Sequence, residues 1–186
     1  MKKIKLNLLL NFFPLFLFFT SCTPTSNLTN GTKVISKKFK NINKFDKTSL
    51  KNIDTNYFYE MVDSYMADIN FSKIRDVGED VPRKIQFYKN GRVRFFSFGI
   101  EDANPLNAGT RGIIYKNNNS IRIDFTNADQ DGTLFVGTYQ VKIENDKIYL
   151  LELPGTFLFK PSEYICYEYK KSNKIPENWK EYSSEW

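Results

Sequence analysis

An all-β fold, in which an antiparallel meander closes into a barrel, is what this 186-residue chain predicts. Three observations carry it. From Val81 onward, aromatic and β-branched runs follow one another at short spacing. The pairs Asn90-Gly91 and Asn145-Asp146 each join neighbouring runs into a hairpin. No segment of helical period lies between the runs. A meander without covering helices must dispose of its edge strands, and closing into a barrel does so.

The chain begins with Lys2, Lys3 and Lys5, then runs mostly apolar from Leu6 to Phe19 before Thr20-Ser21-Cys22. That stretch, interrupted by Asn7, Asn11 and Pro14, is shorter than the ~20 apolar residues of a spanning helix. It reads as the apolar region of a secretory signal. Phe19, Thr20, Ser21 and Cys22 resemble the lipobox of bacterial lipoprotein signals, with Phe19 where Leu is usual. The resemblance implies a signal peptide over 1–21 and a lipidated Cys22. It also implies a domain outside the cytoplasm, held on a membrane of the bacterial cell envelope, with the outer membrane expected. An ordinary secretory leader and an uncleaved anchor are the alternatives.

Residues 22–51 are rich in Thr, Ser, Asn and Lys with little apolar periodicity, and are expected to form a flexible tether. Lys33, Lys37, Lys38, Lys40 and Lys44 make it basic, which suits either a solvated linker or an anionic bilayer surface. Without residues 1–21 the chain keeps 24 basic and 21 acidic side chains, a balance of +3. So mild a charge does not point to nucleic acid as a partner.

The barrel domain is expected over 52–174. Its first segment, "IDTNYFYEMVDSYMADI", reads either as a helix through Phe58, Met61, Val62, Tyr65 and Ile69 or as a strand at Tyr57–Val62. Strands are predicted within 84–89, 92–98, 112–116, 120–126, 134–144, 147–153 and 163–171. Around Asn145-Asp146, a two-residue loop would set Glu144 opposite Lys147, Ile143 opposite Ile148 and Val141 opposite Leu150. The tail, 175–186, is expected to hold a short helix opened by Pro176.

From about Ile53 to Trp179, "IDTNYFYE", "FYKNGRV" and "GTYQVKIENDKIYL" resemble small Gram-negative lipoproteins with a lipocalin-like domain. The resemblance implies a lipocalin-like up-and-down barrel and favours the strand at Tyr57. The lipocalin Gly-x-Trp near the first strand is absent.

There is no histidine, which excludes Ser-His and Cys-His nucleophile pairs and the usual zinc ligands. No nucleophile elbow or phosphate-binding glycine loop appears, and none of the 21 acids stands out as a catalytic pair. In "NADQDGTLFVGT", Asn127, Asp129, Asp131 and Gly132 follow a calcium-loop pattern, but Thr138 stands where a Glu should close it. An ordinary turn is expected there, and neither a metal nor a cofactor. Cys166 reads as a small apolar strand residue, without a disulfide partner if Cys22 carries lipid.

One constellation remains. A two-residue loop at Asn90-Gly91 would place Phe87, Lys89, Arg92, Arg94 and Phe96 on one face, with Tyr88, Val93 and Phe95 on the other. One face would pack the core while the other lines a ligand cavity. The candidate ligand-binding residues are therefore Phe87, Arg92, Arg94, Phe95 and Phe96. The expected function is non-enzymatic: an anchored barrel that binds a small apolar or amphiphilic ligand. The alternative is a protein-interaction module, such as an envelope inhibitor or immunity-type protein. An interior with room for a ligand favours the first, and a filled interior with an exposed aromatic patch favours the second.

Overall fold

The computed structural model describes residues 25–35, 39–78, 81–97, 99–128, 131–155 and 161–186, with the backbone alone at 127. The leader, Cys22, and Asp129-Gln130 of the calcium-like loop lie outside the described residues. The strands are β1 (Thr25–Asn27), β2 (Lys33–Ile35), β3 (Tyr57–Ala67), β4 (Lys73–Asp76), β5 (Arg83–Phe87) and β6 (Arg92–Ser97). They continue with β7 (Thr110–Asn117), β8 (Ser120–Ala128), β9 (Leu134–Glu144), β10 (Lys147–Leu153) and β11 (Tyr164–Lys174). All the predicted strands are present, with their ends moved by up to three residues. Helical structure among the described residues is limited to short 3-10 turns.

Strands β3 and β5 to β11 pair in sequence order, each antiparallel to the next, and β11 returns to pair with β3. The result is a closed, eight-stranded, up-and-down barrel. Strand β5 pairs with the first half of β3, while β4 lies beside its second half. Strands β1 and β2 form a separate hairpin.

The segment from Tyr57 is a strand and extends to Ala67. Its helix-like spacing has a physical cause: both faces of this strand are apolar. Tyr59 and Met61 turn into the barrel, whereas Phe58 and Tyr65 pack on its outer wall. Opposite Glu168 and Tyr169 the register slips by one residue, leaving Val62 without a direct partner. Such a bulge breaks strict alternation.

The hairpin at Asn145-Asp146 has the expected register, with Glu144 opposite Lys147, Ile143 opposite Ile148 and Val141 opposite Leu150. Asn145 takes the left-handed conformation at φ 56°. The hairpin at Asn90-Gly91 differs. Tyr88 N–H donates to the Arg92 carbonyl and Gly91 N–H to the Tyr88 carbonyl, so Lys89, Asn90 and Gly91 form a three-residue loop. Gly91, at φ 81°, supplies the left-handed bulge residue that such loops use. Phe87 therefore faces Val93, Gln86 faces Arg94, and Ile85 faces Phe95. A slip of one residue moves side chains to the opposite face. Phe87 joins Ile85, Val93 and Phe95 inside, and Arg92, Arg94 and Phe96 lie outside.

Two terminal segments pack on the barrel, covering parts of its outer wall and closing over its core. The stretch expected to be a tether is structured instead: Leu28 and Val34 of the β1–β2 hairpin are buried, Thr29 N–H donates to the Leu106 carbonyl, and the chain packs on the barrel again from Phe39. Phe39 and Ile42 lie on Ile113 and Tyr115. Asn41 Nδ2 donates to Asp124 Oδ2 at 2.8 Å, and Tyr115 Oη and Thr138 Oγ1 each donate to Asp124 Oδ1 at 2.9 Å. Burial, then the neighbouring Asp124, pushes the Tyr115 phenol up to about 12. Phe45, Leu50 and Ile53 pack against the barrel core. These apolar residues, few among Lys, Asn and Thr, carry the packing. At the other terminus Ile175 and Trp179 cover Phe58 and Phe96, with the Phe58 and Trp179 rings 5.2 Å apart, edge to face. The tail's helix is a 3-10 turn over Glu177–Glu181, with Pro176 as its N-cap.

Candidate functional site

The barrel interior is filled. Ile85, Val93, Ile114, Ile123, Ile148 and Leu150 are wholly buried in one cluster. Packing continues to the end bounded by Arg83, Ser97, Thr110 and Thr126. There Phe125 and Tyr139 stack at 4.1 Å, Phe95 lies 5.9 and 6.0 Å from those two rings, and Tyr167 meets Tyr139 edge-on at 5.9 Å. Gly137 makes this stack feasible, since a Cβ there would lie 2.6 Å from the Phe125 ring. At this end lies a cleft of about 300 Å³ lined by Val81, Arg83, Phe95, Phe125, Thr126 and Tyr139 among others.

Behind this mouth lies a half-buried carboxyl. The Tyr167 hydroxyl donates to Glu152 Oε2 at 3.4 Å, and the Arg83 guanidinium lies 4.9 Å from the Tyr167 ring centre. Burial raises the Glu152 pKa, and the opposing Tyr167 hydrogen bond and Arg83 charge only reduce that effect. The folded state therefore holds this proton more tightly than the unfolded chain. The associated stability is fully present below about pH 4.5, the carboxyl's ordinary value, and is lost as pH rises through the folded-state value. Glu152→Gln should accordingly melt higher than the parent at pH 7, with the gap closing below about pH 4.5. An equal difference at both pH values would refute the burial penalty.

The outer wall holds the other polar concentration. Arg94 is wholly buried, and Arg92 and Arg111 are only 5 % and 8 % exposed. Arg94 stands directly across from Arg111 on the neighbouring strand. Its Nη2 donates to the carbonyls of Asp102 (2.9 Å), Asn104 (3.4 Å) and Ala108 (2.7 Å), and its Nη1 to Ala103 O (3.2 Å) and Tyr88 Oη (3.1 Å). It thereby organises the 102–108 loop. Burial depresses the Arg111 pKa, and the adjacent Arg94 and Arg92 charges add to that effect.

The five residues predicted to bind a ligand are thus divided. Phe87 belongs to the core and Phe95 to the mouth. Phe96 packs under Trp179 on the outside and also borders the mouth cleft. Arg92 and Arg94, expected near the mouth, lie on the outer wall because the three-residue loop turned their face outward. Sequence reading missed Arg83, Arg111, Tyr139, Glu152 and Trp186, which long-range pairing brings to these places. One signal was available: Ile85, Phe87, Val93 and Phe95 share an apolar face only if the loop has three residues.

A third feature is apolar. At one edge of the barrel a groove of about 350 Å³ is lined by Met66, Phe135, Val136, Leu153, Tyr164 and Ile165 among others. Phe135 is 43 % exposed and Val136 47 %. Among the described residues no cluster of three or more His, Cys, Asp or Glu side chains forms a metal site.

Fold and surface together define a closed antiparallel β-barrel with a packed interior and its polar and apolar features on the rim and outer wall. No protein-family model, curated protein or solved structure matches the chain.

Proposed function

We propose that this chain is a non-enzymatic protein of the bacterial envelope, anchored through a lipid on Cys22, whose lipocalin-like barrel serves as a protein-interaction module. The filled interior carries this reading. An eight-stranded barrel is just wide enough either to be filled by side chains or to hold one small ligand, and here Ile, Leu, Val and aromatic residues occupy that space. The exposed apolar groove around Phe135 and Val136 is the kind of surface a partner covers.

A second reading, binding of a small apolar or amphiphilic ligand, has one observation in its favour. The mouth cleft combines an aromatic floor with Arg83, although its ~300 Å³ lies at the lower limit of ligand pockets. Native mass spectrometry of the full-length protein after expression in a bacterium, with titration by fluorescent fatty acids, separates the two. The interaction module predicts the mass of the lipid-anchored chain with no non-covalently bound ligand, and no saturable binding at micromolar concentration. A co-purifying amphiphile, with saturable binding that Arg83→Ala weakens, would replace it with the ligand carrier.

A further inference from the structure

Arg92, Arg94 and Arg111 place three guanidiniums together on one buried patch of wall. Among the described residues the ion pairs all involve other side chains. Carbonyls satisfy much of Arg94, and Arg111 Nη2 reaches Pro105 O at 3.4 Å, but neutral acceptors leave the charge in place. Arg92 Nη1, Arg94 Nε and Arg111 Nε are buried and lack any hydrogen-bond partner. Buried charges are ordinarily paired, because leaving the ion and its donors unmatched is costly.

The C-terminal segment covers this patch. The Trp186 ring lies 5.8 Å from the Arg92 guanidinium carbon and 5.5 Å from that of Arg111, and its own Nε1 is a further buried donor without a partner. Asn90 Nδ2 holds the segment in place through Ser184 Oγ (2.8 Å) and Glu185 Oε1 (3.0 Å). Glu185 is the acid whose charge acts on Arg92, and it does so without forming an ion pair. Beside the patch, Tyr88, Asn90 and Ser184 also line a cleft of about 440 Å³ that includes Lys89 and Lys180.

We propose that this patch is a binding site for a phosphate group, in which Arg92 and Arg111, backed by Arg94 and covered by Trp186, hold the oxyanion. The chemistry fits the unmatched donors. Guanidinium forks match phosphate oxygens in geometry and charge, and the indole N–H supplies a neutral donor beside them. The neighbouring cleft accommodates the remainder of a phosphorylated molecule, with Lys89 reinforcing its attraction for an anion. Phosphate can arrive free, on a small ester or as a lipid headgroup, and all three present the same oxygens.

Calorimetric titration of the full-length protein in neutral detergent tests the site with inorganic phosphate and with glycerol phosphate, against chloride at equal ionic strength. Saturable phosphate binding is expected, with Arg92→Gln and Arg111→Gln each weakening it by about tenfold or more and Lys170→Gln leaving it unchanged. In a Trp179→Phe background, Trp186 fluorescence should report the same saturation, so the result does not depend on the arginine variants folding well. Phosphatidylcholine vesicles with and without phosphatidic acid form the second arm. Binding that needs phosphatidic acid and the two arginines supports the site with a headgroup as the source. The proposal is overturned if phosphate acts no differently from chloride and vesicle binding is indifferent to both arginines.

Discussion

Cys22→Ser protein is expected to leave the membrane fraction almost completely, or to accumulate as an uncleaved precursor. The lipobox-like Phe19-Thr20-Ser21-Cys22 makes this thiol the attachment point under the proposed reading. Each buried CH₂ of an acyl chain is worth about 0.8 kcal/mol, so two or three chains hold a protein stably where one binds only marginally. Loss of the sulfur removes the first acylation and, with it, the cleavage that depends on it. Fractionation with metabolic labelling by a radioactive fatty acid reads both effects. A variant that is processed and membrane-bound like the parent would rule out the lipid anchor.

Gly91→Ala should be the most destabilising conservative change in the hairpin. At φ 81° the backbone occupies a region that costs an L-residue about 1–2 kcal/mol. A Cβ would also stand 2.3 Å from the Phe45 ring, an overlap whose relief costs about 1–3 kcal/mol in a packed core. Together these give a loss of about 2–5 kcal/mol, or roughly 4–20 °C in melting temperature for a protein of this size. The two contributions separate in a double variant. Phe45→Ala should remove the steric part of the Gly91→Ala penalty and leave the conformational part. Additive effects would mean that Phe45 does not close the barrel over this turn.

The phosphate site and the mouth make independent claims, because they lie on opposite sides of the same wall. Arg94 and Phe95 are adjacent in sequence, yet one organises the outer 102–108 loop while the other packs against Phe125 and Tyr139 inside. A ligand found at either place therefore leaves the other to be decided by its own experiment.

How much was legible depended on range. The all-β class, the strand positions from β5 to β11 and the Asn145-Asp146 register followed from local turn chemistry and alternation, which act over a few residues. The same logic failed at Asn90-Gly91, where a two-residue and a three-residue loop are both locally acceptable. Core packing of Ile85, Phe87, Val93 and Phe95 decided between them and turned the arginines outward. Composition likewise suggested a tether before the barrel, because Phe39, Ile42, Phe45 and Leu50 stand among many Lys, Asn, Thr and Ser residues. Their burial comes from surfaces supplied by distant strands. The arginine patch is the extreme case, since it requires β6 and β7 in register and a tail that brings Trp186 back across the wall. By itself, then, the sequence determined the class, the strands and the residue types available. The tertiary structure alone decided which side of the barrel each side chain faced, because that depends on a one-residue register choice settled by the sum of long-range packing.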